Sequence, residues 1–243
     1  MSSATMHLQT ELHERVARLN DAMVVSPHLD DAVFSCATFL SACAKGASVT
    51  VLAGVPEKED CTPWDRKSGF SKSSEAVHRR RWEDCAAHRI LGARAFHLDF
   101  LDGQYGALPP MTRVVRALGD FLQDNTRPMS AVCIPLGLLH RDHEYVHEAC
   151  LQVRRALPDR LWLAYEDVPY RCIPGILQHR LGRLEARGIS ATPVFPPLGC
   201  RRRKREAVHA YTSQLLAFRD EDMADLTRPE RYWYLADGFR GEV

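Results

Sequence analysis

Nothing in this chain spaces its cysteines for a disulfide frame or a thiolate metal knot. The eight are scattered from Cys36 to Cys200, no two form a CxxC pair, and most fall inside apolar segments, which predicts reduced, buried thiols. Long apolar runs are also missing, so no segment reaches the length of a membrane span. The first twenty residues, MSSATMHLQTELHERVARLN, lack the apolar core of a signal peptide, and a cytoplasmic protein without stable membrane association is expected. Excess charge of one sign is absent: 32 Lys and Arg stand against 31 Asp and Glu, a net charge of +1. Nucleic acid therefore exerts no long-range pull. The local basic clusters, HRRRWE at 78–83 and RRRKRE at 201–206, read as solvated helix faces. No internal repeat, low-complexity tract or glycine-rich GxGxxG turn occurs, which argues against a nucleotide cofactor.

What is present alternates. Residues 22–27 (AMVVSP) read as a short buried strand, and 30–45 follow with helical spacing and a Gly46 stop. Residues 47–55 read as strand two, 74–91 as a helix ended by Gly92, 94–100 as strand three, and 111–123 as a helix. Strand four falls at 130–136, a helix at 142–156, strand five at 160–168 and a helix at 174–187. A proline-interrupted edge strand is expected at 191–197 and a closing helix at 202–218. Strands separated by helices imply an α/β fold, with a mostly parallel sheet covered on both faces. With 243 residues and 45% hydrophobic content, one domain over 1–243 is expected.

Two clusters of metal-capable residues sit directly after strands. SPHLDD (26–31) sets His28, Asp30 and Asp31 where strand one turns into a helix, and HRDH (140–143) sets His140, Asp142 and His143 after strand four. In a doubly wound sheet ligands bind beyond the carboxyl ends of strands, where strand order reverses. An order of 3-2-1-4-5 would bring the two clusters together there. His28, Asp31 and His143 would supply two nitrogens and a carboxylate, a donor set of the kind zinc takes at a catalytic site. Asp30, adjacent to a ligand without being needed as one, could take a proton from a water that the metal activates. His140 could face the substrate and hold positive charge near a developing oxyanion. Asp142, beside it, could orient an imidazole or keep it protonated.

Plainer readings stand beside these. Asp30 could be a helix cap with Asp31 as a first-turn charge, and the histidines of HRDHEYVH could line an exposed helix start. A rival motif is also present: His143, Glu144 and His147 spell HExxH, the zinc-protease pattern.

With both motifs in place, the chain resembles the PIG-L/LmbE-like family of zinc-dependent N-acetylglucosaminyl deacetylases. SPHLDD looks like the family's first histidine–aspartate motif and HRDH like its second. Lesser likenesses run through RRWEDCAAHRILG (80–92), LDG (101–103), GVP (54–56), YEDVPY (165–170) and KREAVHAYTSQ (204–214), so the motif-bearing core spans about 22–214. The resemblance implies a Rossmann-like three-layer sandwich and Zn2+ on His28, Asp31 and His143, with Fe2+ or Co2+ also compatible. It implies Asp30 as general base and His140 at the oxyanion or the leaving amine. The substrate would be an N-acetylglucosamine-type sugar or glycoconjugate, including natural-product intermediates. A zinc amidase or esterase on a non-sugar substrate, and a catalytically silent binding homologue, remain as alternatives, and the oligomeric state stays open. Two positions depart from the family pattern: Leu29 replaces its usual Pro and Ala32 its usual Glu. Around the site, the long 56–75 connection reads as a lid or binding loop. Its Trp64 could stack on a sugar or cover apolar surface. Asp102 could accept sugar hydroxyls or form an Asx turn, and Arg80 could reach hydroxyls or a phosphate, or lie on a surface helix.

Overall fold

The computed structural model describes residues 3–238; the outermost positions of the expected domain, 1–2 and 239–243, lie outside the described residues. Helix α1 (Ser3–Ala17) leads into β1 (Asp21–Ser26), α2 (Asp31–Ala42), β2 (Lys45–Thr50), the short α3 (Pro63–Lys67), α4 (Ser73–Leu91) and β3 (Arg94–His97). The second half runs α5 (Met111–Asn125), β4 (Ala131–Pro135), α6 (Arg141–Ala156), β5 (Leu161–Tyr165), α7 (Ile176–Glu185) and β6 (Ile189–Val194). Helices α8 (Arg201–His209), α9 (Thr212–Leu215) and α10 (Asp220–Leu226) precede the last strand, β7 (Tyr232–Asp237).

The seven strands form one sheet in the order β3-β2-β1-β4-β5-β7-β6. β3 through β5 are mutually parallel, and β7 pairs antiparallel with both β5 and β6. Strand side chains alternate between the two helical layers, as a period of two demands. Ala22 and Val24 of β1 face Phe34, Phe39, Ala87 and Val208 of α2, α4 and α8. Met23 and Val25 face Val114, Leu118, Val146 and Cys150 of α5 and α6. This is the expected α/β sandwich. β1 and β4 lie side by side, in register from Ala22 opposite Ala131, so the reversal of strand order falls where the sequence placed it.

Three expectations need correction. The closing helix expected over 202–218 is broken at Ala210–Tyr211 into α8 and α9, because Tyr211 turns inward to give its hydroxyl to Asp84 (2.6 Å). The basic clusters are not wholly solvated. Lys204 is buried against Glu230 at 2.9 Å, and Arg80 and Glu83 are buried within α4. Only four cysteines, Cys36, Cys43, Cys133 and Cys150, are buried, while Cys85, Cys172 and Cys200 are exposed. Strand β7, absent from the expected pattern, inserts between β5 and the edge strand β6. No helix among the described residues is long and apolar enough to cross a membrane.

Candidate metal centre

Ser26, the last residue of β1, folds the turn that follows it. Its hydroxyl donates to the His28 carbonyl (2.7 Å) and accepts from the Ala32 amide (2.9 Å), while Asp31 Oδ2 accepts from the His28 amide (2.9 Å). Asp30 occupies the cap position of α2 but makes no capping bond. The plain cap reading of Asp30 therefore fails. Its Oδ2 instead accepts from Gln214 Nε2 at 2.8 Å. Leu29 and Ala32, the two departures from the family pattern, are both buried, Leu29 beside Ala53 and Val77.

The loop after β4 is built around Asp167. Asp167 Oδ2 accepts from the amides of Gly137 (2.9 Å) and Leu138 (3.2 Å). Gly137 has φ +79, and a Cβ there would stand 2.8 Å from His147 Cβ, so a side chain would be both strained and crowded. Leu139 takes φ +57, a left-handed conformation costing about 1 kcal/mol or more in an L-residue. That turn delivers His140 to the start of α6, where its Nδ1 accepts from the Asp142 amide at 3.3 Å.

Three donor atoms from the two loops face one another. Asp31 Oδ2 lies 3.3 Å from His28 Nδ1 and 3.2 Å from His143 Nε2. Ligands about 2.0–2.1 Å from a tetrahedral zinc ion stand about 3.3 Å apart, so the donor types and both of these separations from Asp31 fit such a cation. Each imidazole is held from behind by a carboxylate. His143 Nδ1 meets Asp167 Oδ1 at 2.7 Å, and His28 Nε2 meets Asp142 Oδ2 at 3.1 Å. A carboxylate on the far nitrogen fixes tautomer and ring orientation, the usual arrangement behind a metal-binding histidine. The ligand atoms of His28, His140 and His143 also fall within 4.8 Å of one another, as do those of His28, Asp102 and Asp142. The set containing Asp31 places a carboxylate oxygen between the two imidazoles, whereas His140 Nδ1 is already occupied by the Asp142 amide.

The electrostatics favour positive charge at the convergence. Burial would push the Asp31 carboxyl up, but His143 and His28 hold it well below the carboxylate range. Burial opposes a charged His143, yet Asp31 and Asp167 raise it to about 9. A divalent cation held there would supply the charge that these carboxylates draw onto the rings. Asp30 behaves oppositely: burial, then the neighbouring Asp31, lifts it to about 7. His140 is lowered by burial and by His28 and His143, which works against a positive charge on its ring. With Nδ1 accepting, Nε2 carries the proton and donates. The imidazole that the Asp142 carboxylate orients is His28, while its charge favours the protonated form of His140.

These residues line a cavity of about 450 Å³ whose wall also includes Leu29, Leu52, Trp64, Val77, Arg80, Asp102, Tyr170 and Phe218. Asp102 forms the Asx turn, accepting from the Gln104 amide at 2.9 Å, and its Oδ1 stands 3.9 Å from His28 Nε2. Arg80 is not a surface residue. Its Nη2 pairs with Asp65 Oδ1 at 2.8 Å and its Nη1 donates to Tyr105 (3.1 Å), so its charge is already matched. Trp64 packs edge-on against Phe218 and donates Nε1–H to Gln214 Oε1 at 3.0 Å. The rival HExxH reading fails. Glu144 turns outward to Arg180 and Arg183, and His147 is buried with its Nδ1 on the Pro135 carbonyl.

Three residues of the site carried no assigned role in the sequence reading: Asp167, Gln214 and Tyr170, whose ring stacks on His140 with centroids 5.8 Å apart. YEDVPY and the KREAVHAYTSQ segment were the signals that bracketed them.

The chain matches the family model described as "PIG-L: GlcNAc-PI de-N-acetylase" over residues 23–154. No curated protein matches it closely enough to count as a relative. Among solved structures it is similar to the A40926 pseudoaglycone deacetylase Dbv21, at 24% identity over 90% of this chain and 98% of that one, with a TM-score of 0.72. It is likewise similar to the zinc-inhibited form of the teicoplanin deacetylase Orf2, at 21% identity over 90% and 99%, TM-score 0.73. The 4-carboxy-2-hydroxymuconate hydratase GalB from Pseudomonas putida KT2440 shares the fold at 15% identity over 93% and 99%, TM-score 0.58. At such identities these likenesses speak for the fold.

Proposed function

Because the chain belongs to the PIG-L family of GlcNAc-PI de-N-acetylases, we propose that it is a zinc-dependent hydrolase removing the N-acetyl group from an N-acetylglucosamine-type sugar or glycoconjugate. One observation carries the reading: Asp31 Oδ2 stands within 3.3 Å of both His28 Nδ1 and His143 Nε2 on a cavity wall, with the buried carboxyl of Asp30 next to them. Zinc, held by those three residues, would supply a Lewis acid able to lower the pKa of a water and polarise the substrate carbonyl. Asp30 takes the proton of the attacking water; a carboxyl lifted to about 7 is suited to accept a proton and release it again near neutral pH. His140 donates from Nε2 to the carbonyl oxygen as negative charge develops there, a bond stronger in the transition state than in the ground state. Asp142 and Asp167 keep His28 and His143 turned toward the cation. Asp30, holding the proton taken from the water, passes it to the departing amine.

A second reading, hydrolysis of a non-sugar amide or ester, draws on the apolar part of the wall, Leu29, Leu52 and Val77. Both are tested by acetate release from N-acetylated amino sugars (free, glycosidically linked, and attached to lipid or antibiotic aglycones), run beside non-sugar N-acetyl amides. Sugar-selective release supports the first reading, and release confined to the non-sugar set supports the second. The Asp30→Asn variant should keep its metal and lose about 100-fold to 10,000-fold in turnover. Near-normal turnover would remove Asp30 as the base.

A further inference from the structure

We infer that Gln214 is a positioning residue for Asp30, and that Trp64 makes it one by fixing which end of the Gln214 amide faces the carboxylate. The inference rests on the reading of Asp30 as the base.

An amide side chain can be turned over with little change in shape, so its donor and acceptor ends must be fixed by partners. The Trp64 indole N–H can only donate, and it points at Gln214 Oε1 from 3.0 Å. The amide nitrogen must then be the end that meets Asp30 Oδ2, at 2.8 Å. A turned-over amide would lose both bonds and set oxygen against carboxylate oxygen. Gln214 is 5% exposed, so water does not readily replace either partner. Among the described residues, Asp30 Oδ1 has no hydrogen-bond donor. Gln214 therefore occupies one oxygen, stops rotation of the carboxyl, and leaves the other for the proton.

Both ends of this chain of bonds are anchored. Glu83 on α4 accepts from the Thr212 hydroxyl (2.7 Å), the Ser213 amide (3.0 Å) and the Ser213 hydroxyl (2.6 Å), which pins the short α9 from which Gln214 projects. Trp64 sits on α3, within the 56–75 segment beside the cavity, and Asp65 next to it is tied to Arg80. The placement of that segment and the orientation of the base are thus joined through one amide.

The test uses the metal-loaded protein and the N-acetyl substrate giving the fastest acetate release. Gln214→Leu should lower kcat about 10-fold to 100-fold, the scale of a misplaced reacting group, with KM within about threefold and metal content unchanged. In an Asp30→Asn background the same change should move kcat less than about twofold, which a merely structural role would not produce. Trp64→Phe keeps the ring against Phe218 and drops the donor, so it should reproduce the kcat loss in part. Trypsin cleavage after Arg66 or Lys67 should be faster in both single variants, a readout independent of turnover. If Gln214→Leu keeps kcat within twofold while Asp30→Asn abolishes it, the inference fails and the base assignment stands. If Asp30→Asn itself turns over normally, the reading beneath it fails. Equal trypsin cleavage in all three proteins would break the link between Trp64 and Gln214.

Discussion

Among the described residues two clusters bring histidines to aspartates, and only one of them opens onto the cavity. At the cavity, His28 and His143 turn one nitrogen each toward Asp31 and the other toward a carboxylate behind. Between α4, β2 and β3, Asp84 is bonded to His88, His97 (2.7 Å) and the Tyr211 hydroxyl (2.6 Å), and His88 Nε2 meets Ser48 Oγ at 2.7 Å. By distance alone the second group passes for a Ser-His-Asp triad. It is sealed, however: Ser48, His88 and Asp84 are each at most 1% exposed, and none lines the cavity. Proximity of the right residue types is therefore not enough. The difference lies in access to the cavity.

The largest effect that would break this contrast comes from removing one histidine of each cluster. His143→Ala should lose bound metal and reduce acetate release to background, measured by elemental analysis and turnover. His88→Ala should leave turnover within about threefold. It should nonetheless cost about 3 kcal/mol of stability by leaving buried polar groups short of a partner, which in a protein of this size lowers Tm by about 6–12 °C. Loss of turnover in His88→Ala with unchanged Tm would reverse the assignment of the two clusters.

A smaller effect tests how the open cluster is held. Asp167→Asn keeps the shape behind His143 but weakens its grip on Nδ1–H, and metal affinity should fall about 10-fold to 100-fold, read by competition with a chelator. Unchanged affinity would make Asp167 a loop-building residue only, through its bonds to Gly137 and Leu138.

What could be read in advance follows the same division between local and non-local cause. His28, Asp31, His140 and His143 were legible because each follows a strand at a fixed offset, and strand order brings β1 beside β4. The parallel half of the sheet was legible because its strands are short apolar runs separated by helical spacing. β7 was not: Tyr232–Asp237 adds a strand antiparallel to β5, and no local signal states that pairing. The burial of Arg80 and Lys204 was missed because each sits in a basic run and is neutralised by a residue far along the chain, Asp65 or Glu230. Asp167 and Gln214 act on partners 24 and 184 residues away, contacts that spacing cannot announce.

The sealed cluster should also leave a mark on stability as pH changes. Burial would raise the Asp84 carboxyl, but His88 and His97 hold it below its ordinary range. Burial would lower His88, but Asp84 raises it. The carboxylate's contribution is complete above an unfolded pKa of about 3.9 and fades as pH falls through the lower folded value. The histidine's contribution is complete below about 6.5 and fades as pH rises through the higher folded value. Both act fully only between about pH 4 and 6.5. Denaturant unfolding across pH should show a flatter profile in the Asp84→Asn, His88→Gln double variant. An unchanged profile would place the pH dependence elsewhere.

The smallest effect is the most discriminating for the triad-like geometry itself. Ser48→Ala removes only the hydroxyl bonded to His88, a net loss of about 1 kcal/mol. If Ser48 were a nucleophile, its loss would abolish turnover, and an active-site-directed phosphonate would label it in the native protein. A Ser48 with 0% exposure offers neither an approach path nor room for a tetrahedral adduct. Acetate release by Ser48→Ala should match that of the parent, with a Tm lowered by about 2–4 °C. A collapse of turnover at unchanged Tm would place the chemistry in the sealed cluster instead.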